Sequence, residues 1–198
     1  MRHDRQGRFS LVLAALALAC ALCAAPARAD EAAVQAVWTQ KKLLFTYMGF
    51  TARYSCDGLR DKVKRTLLDL GARASDLKLT YTGCSSGYGR PSPFPGVAIT
   101  AQVLEPVGEK GPPPDATVVS AHWKNVVIAP KGDPLAAAGD CELTEQLKQR
   151  ILPLFTTRNV VYSSTCVPNQ LTVGGTKLST DVLIADPPGP KAPAAGSP

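Results

Sequence analysis

Apolar residues recur at helical spacing in two separate stretches of the chain. The first stripe falls at positions i, i+4, i+8 and i+11 and comprises Leu59, Val63, Leu67 and Leu70. The second has the same spacing and comprises Leu143, Leu147, Ile151 and Leu154. Each pattern predicts an amphipathic helix. Gly71 is placed to end the first helix, Asp140 to cap the start of the second, and Pro153 to end it.

Residues of strand character surround each predicted helix. Alternation over residues 77–81 and the β-branched and aromatic residues near 160–162 predict a strand after each helix. Strands are also predicted before the helices, over residues 43–47 and 118–128, and at the end of each half, over residues 97–104 and 177–184. Residues 171–173 are a candidate for a short additional strand. The predicted element order is β-α-β-β, twice.

A constant offset relates the two halves. The interval from Trp38 to Cys56 equals the interval from Trp123 to Cys141, so one shift along the chain superimposes both pairs. Few further residues match at this offset, but the order of predicted elements is the same in each half. We therefore expect an α+β fold of two β-α-β-β pseudo-repeats, with the helices packed on a mostly antiparallel sheet.

Residues 1–29 have the features of a cleavable secretory signal. A basic start is followed by an apolar run over residues 9–25, and Ala27-Arg28-Ala29 provides the small residues of a cleavage site. The run is short for a transmembrane helix, which needs about 20 residues. Lipid attachment at Cys20 or Cys23 is an alternative, although the large aliphatic residue usual three positions upstream is missing. A periplasmic or secreted protein with no later transmembrane segment is predicted.

The cysteine count after residue 29 points to disulfides. These cysteines are Cys56, Cys84, Cys141 and Cys166. An even number in an oxidising compartment favours two bridges, whereas the wide gaps between successive cysteines and a single remaining histidine, His122, do not suit zinc. Four cysteines allow three connectivities. The repeat favours one bridge within each half, Cys56–Cys84 and Cys141–Cys166.

Charge and low-complexity segments complete the domain assignment. Residues 1–29 hold four of the 22 Lys and Arg residues and one of the 16 Asp and Glu residues, so the net charge falls from +6 to +3 without them. This excess is too small to indicate a nucleic-acid partner. The predicted segments are the signal (1–29), the first repeat (30–105), the Pro/Gly-rich linker (106–116), the second repeat (117–186) and the disordered Pro-rich tail (187–198).

The residues do not form a recognisable catalytic motif. His122 is the single candidate for a general base after the signal, and no nucleophile, phosphate-binding or metal-binding signature accompanies it. Acids in the helices are explained by first-turn positions and by pairs such as Asp61 with Arg65. We therefore predict no catalytic residue, cofactor or metal, while a pair of carboxylates for glycoside cleavage stays open.

One loop has the composition of a recognition surface. Residues 83–96 place Tyr88, Arg90 and Phe94 among Gly, Ser and Pro, where large side chains provide contact area and small ones adapt to a partner. These observations favour an exported, non-enzymatic binding or accessory protein of the bacterial cell envelope whose partner is an envelope protein or polymer. A small envelope-polymer hydrolase and a secreted effector or enzyme inhibitor are the alternatives.

Overall fold

In the residues that the structure describes, the chain forms a mixed α+β fold with one six-stranded sheet and two α-helices. A computed structural model describes residues 32–50, 52–84, 91–129, 140–167, 170 and 175–187. The strands are β1 Val34–Thr46, β2 Lys78–Thr82, β3 Gly96–Pro106, β4 Val118–Ile128, β5 Thr157–Ser164 and β6 Thr176–Ala185. The α-helices are α1 Cys56–Asp69 and α2 Cys141–Arg150, and short 3-10 turns occupy Ala74–Asp76 and Leu152–Leu154. The predicted signal, the candidate strand at 171–173 and residues 188–198 lie outside the described residues.

The sheet has the strand order β2-β3-β1-β4-β6-β5, and each neighbouring pair is antiparallel. Strand β1 pairs with β3 over residues 36–46 but with β4 only over residues 34–37. Each half of the chain therefore contributes three adjacent strands, and the two sets join through a short central ladder. The predicted α+β class with an antiparallel sheet is confirmed.

Helix α1 begins and ends for local reasons. The Ser55 side chain accepts a hydrogen bond from the Gly58 amide at 3.1 Å, which caps the first turn. The predicted apolar stripe from Leu59 to Leu70 is buried. Gly71 follows with φ of 93°, a left-handed conformation that glycine adopts without steric cost.

Helix α2 departs from the prediction at its first residues. Asp140 occupies the N-cap position, but its side chain does not cap the helix and instead binds Tyr54 and Lys62. The helix ends at Arg150, ahead of Pro153, which lies in the following 3-10 turn. In α1, Asp61 forms its ion pair with the adjacent Arg60 at 2.8 Å instead of with Arg65.

The main hydrophobic core lies between the helices and one face of the sheet. Strand alternation sends Phe45 into this core, where it is 1% exposed, and leaves the preceding Leu44 on the opposite face. The helix stripes pack against residues such as Val97 of β3 and Val182 of β6. Strand β1 extends well beyond the predicted residues 43–47, because its earlier part pairs with β3.

A smaller core lies on the opposite face of the sheet. Its fully buried members are Ala36, Leu104, Ala121 and Leu183, with both tryptophans packed beside them. Arg73 lies 5.5 Å from the ring centre of Trp38, and Arg158 lies 4.3 Å from that of Trp123. These cation–π contacts cover the tryptophans with long side chains that keep their charge near water.

The two disulfides join the predicted partners. Cys56 pairs with Cys84 and Cys141 with Cys166, with Cα–Cα distances of 6.1 and 6.0 Å. Each bridge links the first residue of a helix to the segment that follows the next strand. The predicted connectivity is confirmed.

Candidate functional site

Large apolar side chains that face solvent gather at one end of the β1–β3 pair. We call Leu44, Met48, Phe50 and Phe94 the apolar end surface. Phe50 is 83% exposed, Met48 66% and Phe94 60%. In the part of the chain that the structure describes, every exposed Phe or Met belongs to this group. The largest exposed apolar patch on a protein is often a contact surface.

The strand register brings these side chains together. Leu44 lies opposite Ala98 on the sheet face without helices, and Thr46 lies opposite Gly96. Beyond the ladder, the Tyr47 amide donates a hydrogen bond to the Pro95 carbonyl at 2.9 Å. One residue farther from the ladder, Met48 follows Tyr47 and Phe94 precedes Pro95. These two side chains therefore flank the same extension of the strand pair.

Helix α2 holds the backbone beneath the exposed side chains. The Gln146 side chain accepts a hydrogen bond from the Met48 amide at 3.0 Å and donates one to the Met48 carbonyl at 2.9 Å. The Glu142 carboxylate accepts one from the Phe50 amide at 2.7 Å. The hydrogen bonds of this backbone are therefore made by side chains of α2. The apolar side chains point outward, and no other described residue covers them.

Two glycines allow close packing under this surface. A Cβ atom at Gly49 would lie 1.8 Å from the Tyr47 hydroxyl oxygen, and one at Gly83 would lie 2.3 Å from the Phe94 carbonyl oxygen. Gly83 also has φ of 68°, which disfavours other residues. Both loops consequently follow paths that a larger residue would not permit.

A partly buried polar network anchors the same region to both helices. The Tyr54 hydroxyl donates to Asp140 at 2.5 Å, and the Lys62 ammonium group contacts the same carboxylate at 2.6 and 2.8 Å. Burial is the main cause that raises the pKa of Tyr54 above its ordinary value, and the hydrogen bond to Asp140 is the second. The phenol therefore stays protonated and donates. Tyr47 packs edge-on against Tyr54, with ring centres 4.9 Å apart. These groups satisfy one another's hydrogen-bonding capacity and fix the position of the loop that follows β1.

A narrow cleft between the helices lies beside this network. Its volume is about 90 Å³, and its polar lining includes Lys62, Arg65, Asp69, Asp140 and Thr144. Sites for organic ligands usually enclose about 300 Å³ or more. The cleft therefore suits a few water molecules better than an organic substrate.

His122 lies in a separate polar cluster at the end of β6. Its Nδ1 atom is 2.6 Å from Asp186, and the Ser120 hydroxyl donates to the other oxygen of that carboxylate. The Asp186 amide also donates to the Ser120 carbonyl at 2.9 Å. Serine and histidine thus both bind the aspartate, whereas a serine nucleophile activated by histidine requires a hydrogen bond between those two residues. The cluster fastens the end of β6 to β4.

This cluster predicts a pH dependence of stability. The hydrogen bond from Ser120 is the main cause that lowers the pKa of Asp186, and the hydrogen bond from His122 is the second. The ionised carboxylate thus stabilises the folded state above the ordinary aspartate pKa, and this contribution is lost as the pH falls through and below that value, about 3.9. We expect urea unfolding of Asp186→Asn to show a smaller loss of stability between neutral and acidic pH than the wild type does.

The matched control for this experiment is Asp115→Asn, because Asp115 is an exposed acid in the connection between β3 and β4. The control should follow the wild-type curve at each pH. Parallel curves for the wild type and Asp186→Asn would contradict the assignment of this effect to Asp186.

The structure places only part of the predicted recognition loop. Phe94 belongs to the apolar end surface, whereas Tyr88 and Arg90 lie outside the described residues. Sequence reasoning missed Met48 and Phe50, which follow β1 and lie far from that loop along the chain. One available signal was charge, because residues 32–56 and 77–104 contain no Asp or Glu.

Comparison with known proteins does not assign a family. No protein-family model matches the chain, and neither a curated protein nor a solved structure is significantly similar to it. Within the described ranges, no helix is long and apolar enough to cross a membrane, and no group of three His, Cys, Asp or Glu residues is placed to hold a metal ion.

Proposed function

We propose that this chain is an exported, non-enzymatic binding or accessory protein of a bacterial-type cell envelope that contacts its partner through the apolar end surface. The observation that carries this proposal is the exposure of Phe50, Met48 and Phe94 on backbone held by α2. Exposed apolar side chains gain free energy when a partner removes them from water. Because the backbone is already ordered, less conformational entropy is lost on binding.

Export is supported by the disulfides and by the composition of residues 1–29. Disulfides such as Cys56–Cys84 persist in oxidising compartments and are rare in the bacterial cytoplasm. The basic start, apolar run and cleavage site at the beginning of the chain suit a secretory signal. A hydrolase acting on an envelope polymer and a secreted inhibitor stay alternative predictions from the sequence.

We also propose that the two halves are copies of one β-α-β-β unit. Trp38 and Arg73 contact each other in the first half, and Trp123 and Arg158 do so in the second. Trp123 follows Trp38, and Arg158 follows Arg73, by the same number of residues that separates Cys141 from Cys56. In addition, each half contributes its three strands in the order second, third, first when counted from the outward edge to the sheet centre. This support goes beyond the tryptophan and cysteine spacing, since it includes matched side-chain contacts.

The function is tested by capture from envelope extract followed by chemical cross-linking. The wild type is compared with Phe50→Ser/Phe94→Ser and with Val161→Ser, a control that alters a side chain of similar exposure on β5. The wild type and the control should recover the same component, and the double variant should recover about tenfold less. Thermal unfolding first verifies that the three proteins are equally folded. Equal recovery by the double variant would contradict the proposal.

A further inference from the structure

The segments that build the apolar end surface carry basic residues without acidic ones. Residues 32–56 contain Lys41, Lys42 and Arg53, and residues 77–104 contain two further basic residues, with no Asp or Glu in either segment. A charge distribution this uneven along two segments that meet in one part of the fold favours an anionic partner.

Two of these cations are exposed and lie near the apolar residues along the chain. Lys42 lies two residues before Leu44 on the same strand face, and Arg53 follows Phe50 by three residues. Lys41 points to the other face, where it pairs with Glu105 at 2.6 Å. The exposed surface thus combines apolar side chains with flanking positive charge.

The acids at this end lie on the helix side of the sheet: Asp57, in the first turn of α1, accepts a hydrogen bond from the Tyr81 hydroxyl, and two others belong to α2. Glu142 accepts a hydrogen bond from the Phe50 amide, and its carboxylate is therefore directed toward the loop backbone. Glu145 is exposed on the next turn of the helix and accepts a hydrogen bond from Gln149. Both lie on the α2 side of the loop, whereas Leu44 and Lys42 lie on the sheet face without helices.

The size of the apolar end surface bears on the kind of partner. Scaling the exposed fractions by the area of such side chains gives about 500 Å² of apolar surface. A stable protein–protein interface buries about 800 Å² on each partner, so a second copy of this surface would form a small contact. A bilayer needs no matching shape and accepts a few protruding apolar side chains at the boundary between headgroups and acyl chains.

We infer that the apolar end surface docks on a lipid bilayer with anionic headgroups. Phe50, Met48 and Phe94 enter the interfacial layer, and Lys42 and Arg53 contact the headgroup phosphates. This inference rests on the proposed function and names the partner of the same surface. Attachment is peripheral and reversible, because it combines modest apolar insertion with electrostatic attraction that salt weakens.

The test is co-sedimentation of the full exported protein with vesicles. Vesicles of equimolar phosphatidylglycerol and phosphatidylcholine are compared with vesicles of phosphatidylcholine alone. The wild type and Val161→Ser should sediment with the anionic vesicles, and binding should weaken as salt is added. Phe50→Ser/Phe94→Ser and, separately, Lys42→Gln/Arg53→Gln should each bind about tenfold more weakly.

Three results would overturn the inference: no sedimentation of the wild type with anionic vesicles, equal binding to phosphatidylcholine alone, or unchanged binding by either double variant. The capture experiment separates this failure from failure of the proposed function. If vesicles do not bind but recovery from extract still depends on Phe50 and Phe94, the partner is a protein and the proposed function stands. If neither measurement depends on these residues, both proposals fall.

Discussion

Replacement of Phe45 by Ala is expected to lower the free energy of unfolding by about 3–5 kcal/mol. The ring is 1% exposed and packs in the core beneath both helices, so its removal forfeits hydrophobic burial and leaves a cavity. In a protein of this size, such a loss corresponds to a decrease of roughly 10 °C in Tm. Urea unfolding followed by far-UV circular dichroism measures the effect.

The neighbouring residue provides a matched control. Leu44 is 57% exposed and points to the opposite face of the same strand. Leu44→Ala should change the free energy of unfolding by no more than about 0.5 kcal/mol. Because a shift of one residue in strand register exchanges the two faces, equal costs at the two positions would contradict the register of β1 with β3.

Removal of either disulfide is expected to cost about 3.5 kcal/mol, mainly by releasing the unfolded chain from a closed loop. The loops span 28 and 25 residues, and this small difference changes the loop entropy little. The variants are Cys56→Ala/Cys84→Ala and Cys141→Ala/Cys166→Ala, unfolded under non-reducing conditions. If the two halves are copies of one unit, as proposed, the two losses should agree within about 0.5 kcal/mol.

Two controls accompany this comparison. Reduction of the wild type should bring its stability below that of either double variant, since both bridges are then open. Peptide mapping without reductant should recover the Cys56–Cys84 and Cys141–Cys166 pairs. A Cys56–Cys141 link would refute the connectivity, and a large stability loss from only one variant would count against equivalent units.

The sequence predicted the fold best where a local pattern acts alone. The stripe from Leu59 to Leu70 specifies α1, because burial of one helix face requires apolar residues at that spacing. Gly71 marks the end of this helix because few other residues adopt its positive φ. For β1 the pattern was less informative, since the four consecutive polar residues 39–42 interrupt the apolar alternation and shortened the predicted strand.

The candidate site was predicted only in part, because it depends on contacts between distant residues. Phe94 was included for its loop composition, but Met48 and Phe50 follow the predicted strand 43–47 and were not singled out. Their exposure results from Glu142 and Gln146, which bind their backbone from the other half of the chain. Asp140 likewise appeared to be a helix cap, and only the position of Tyr54 and Lys62 gives its carboxylate different partners.

The amino-acid sequence by itself determined the helices and most strands, because hydrophobic periodicity acts within each half of the chain. For the cysteines it left three connectivities, among which the internal repeat favoured the pairing that the structure shows. Only the tertiary structure decided that β1 and β4 join the halves over a short ladder. It alone also decided that the apolar segment after β1 faces solvent. The physical reason is that a hydrophobic pattern encodes a tendency toward burial, whereas strand order and long-range hydrogen bonds determine which apolar side chains find cover.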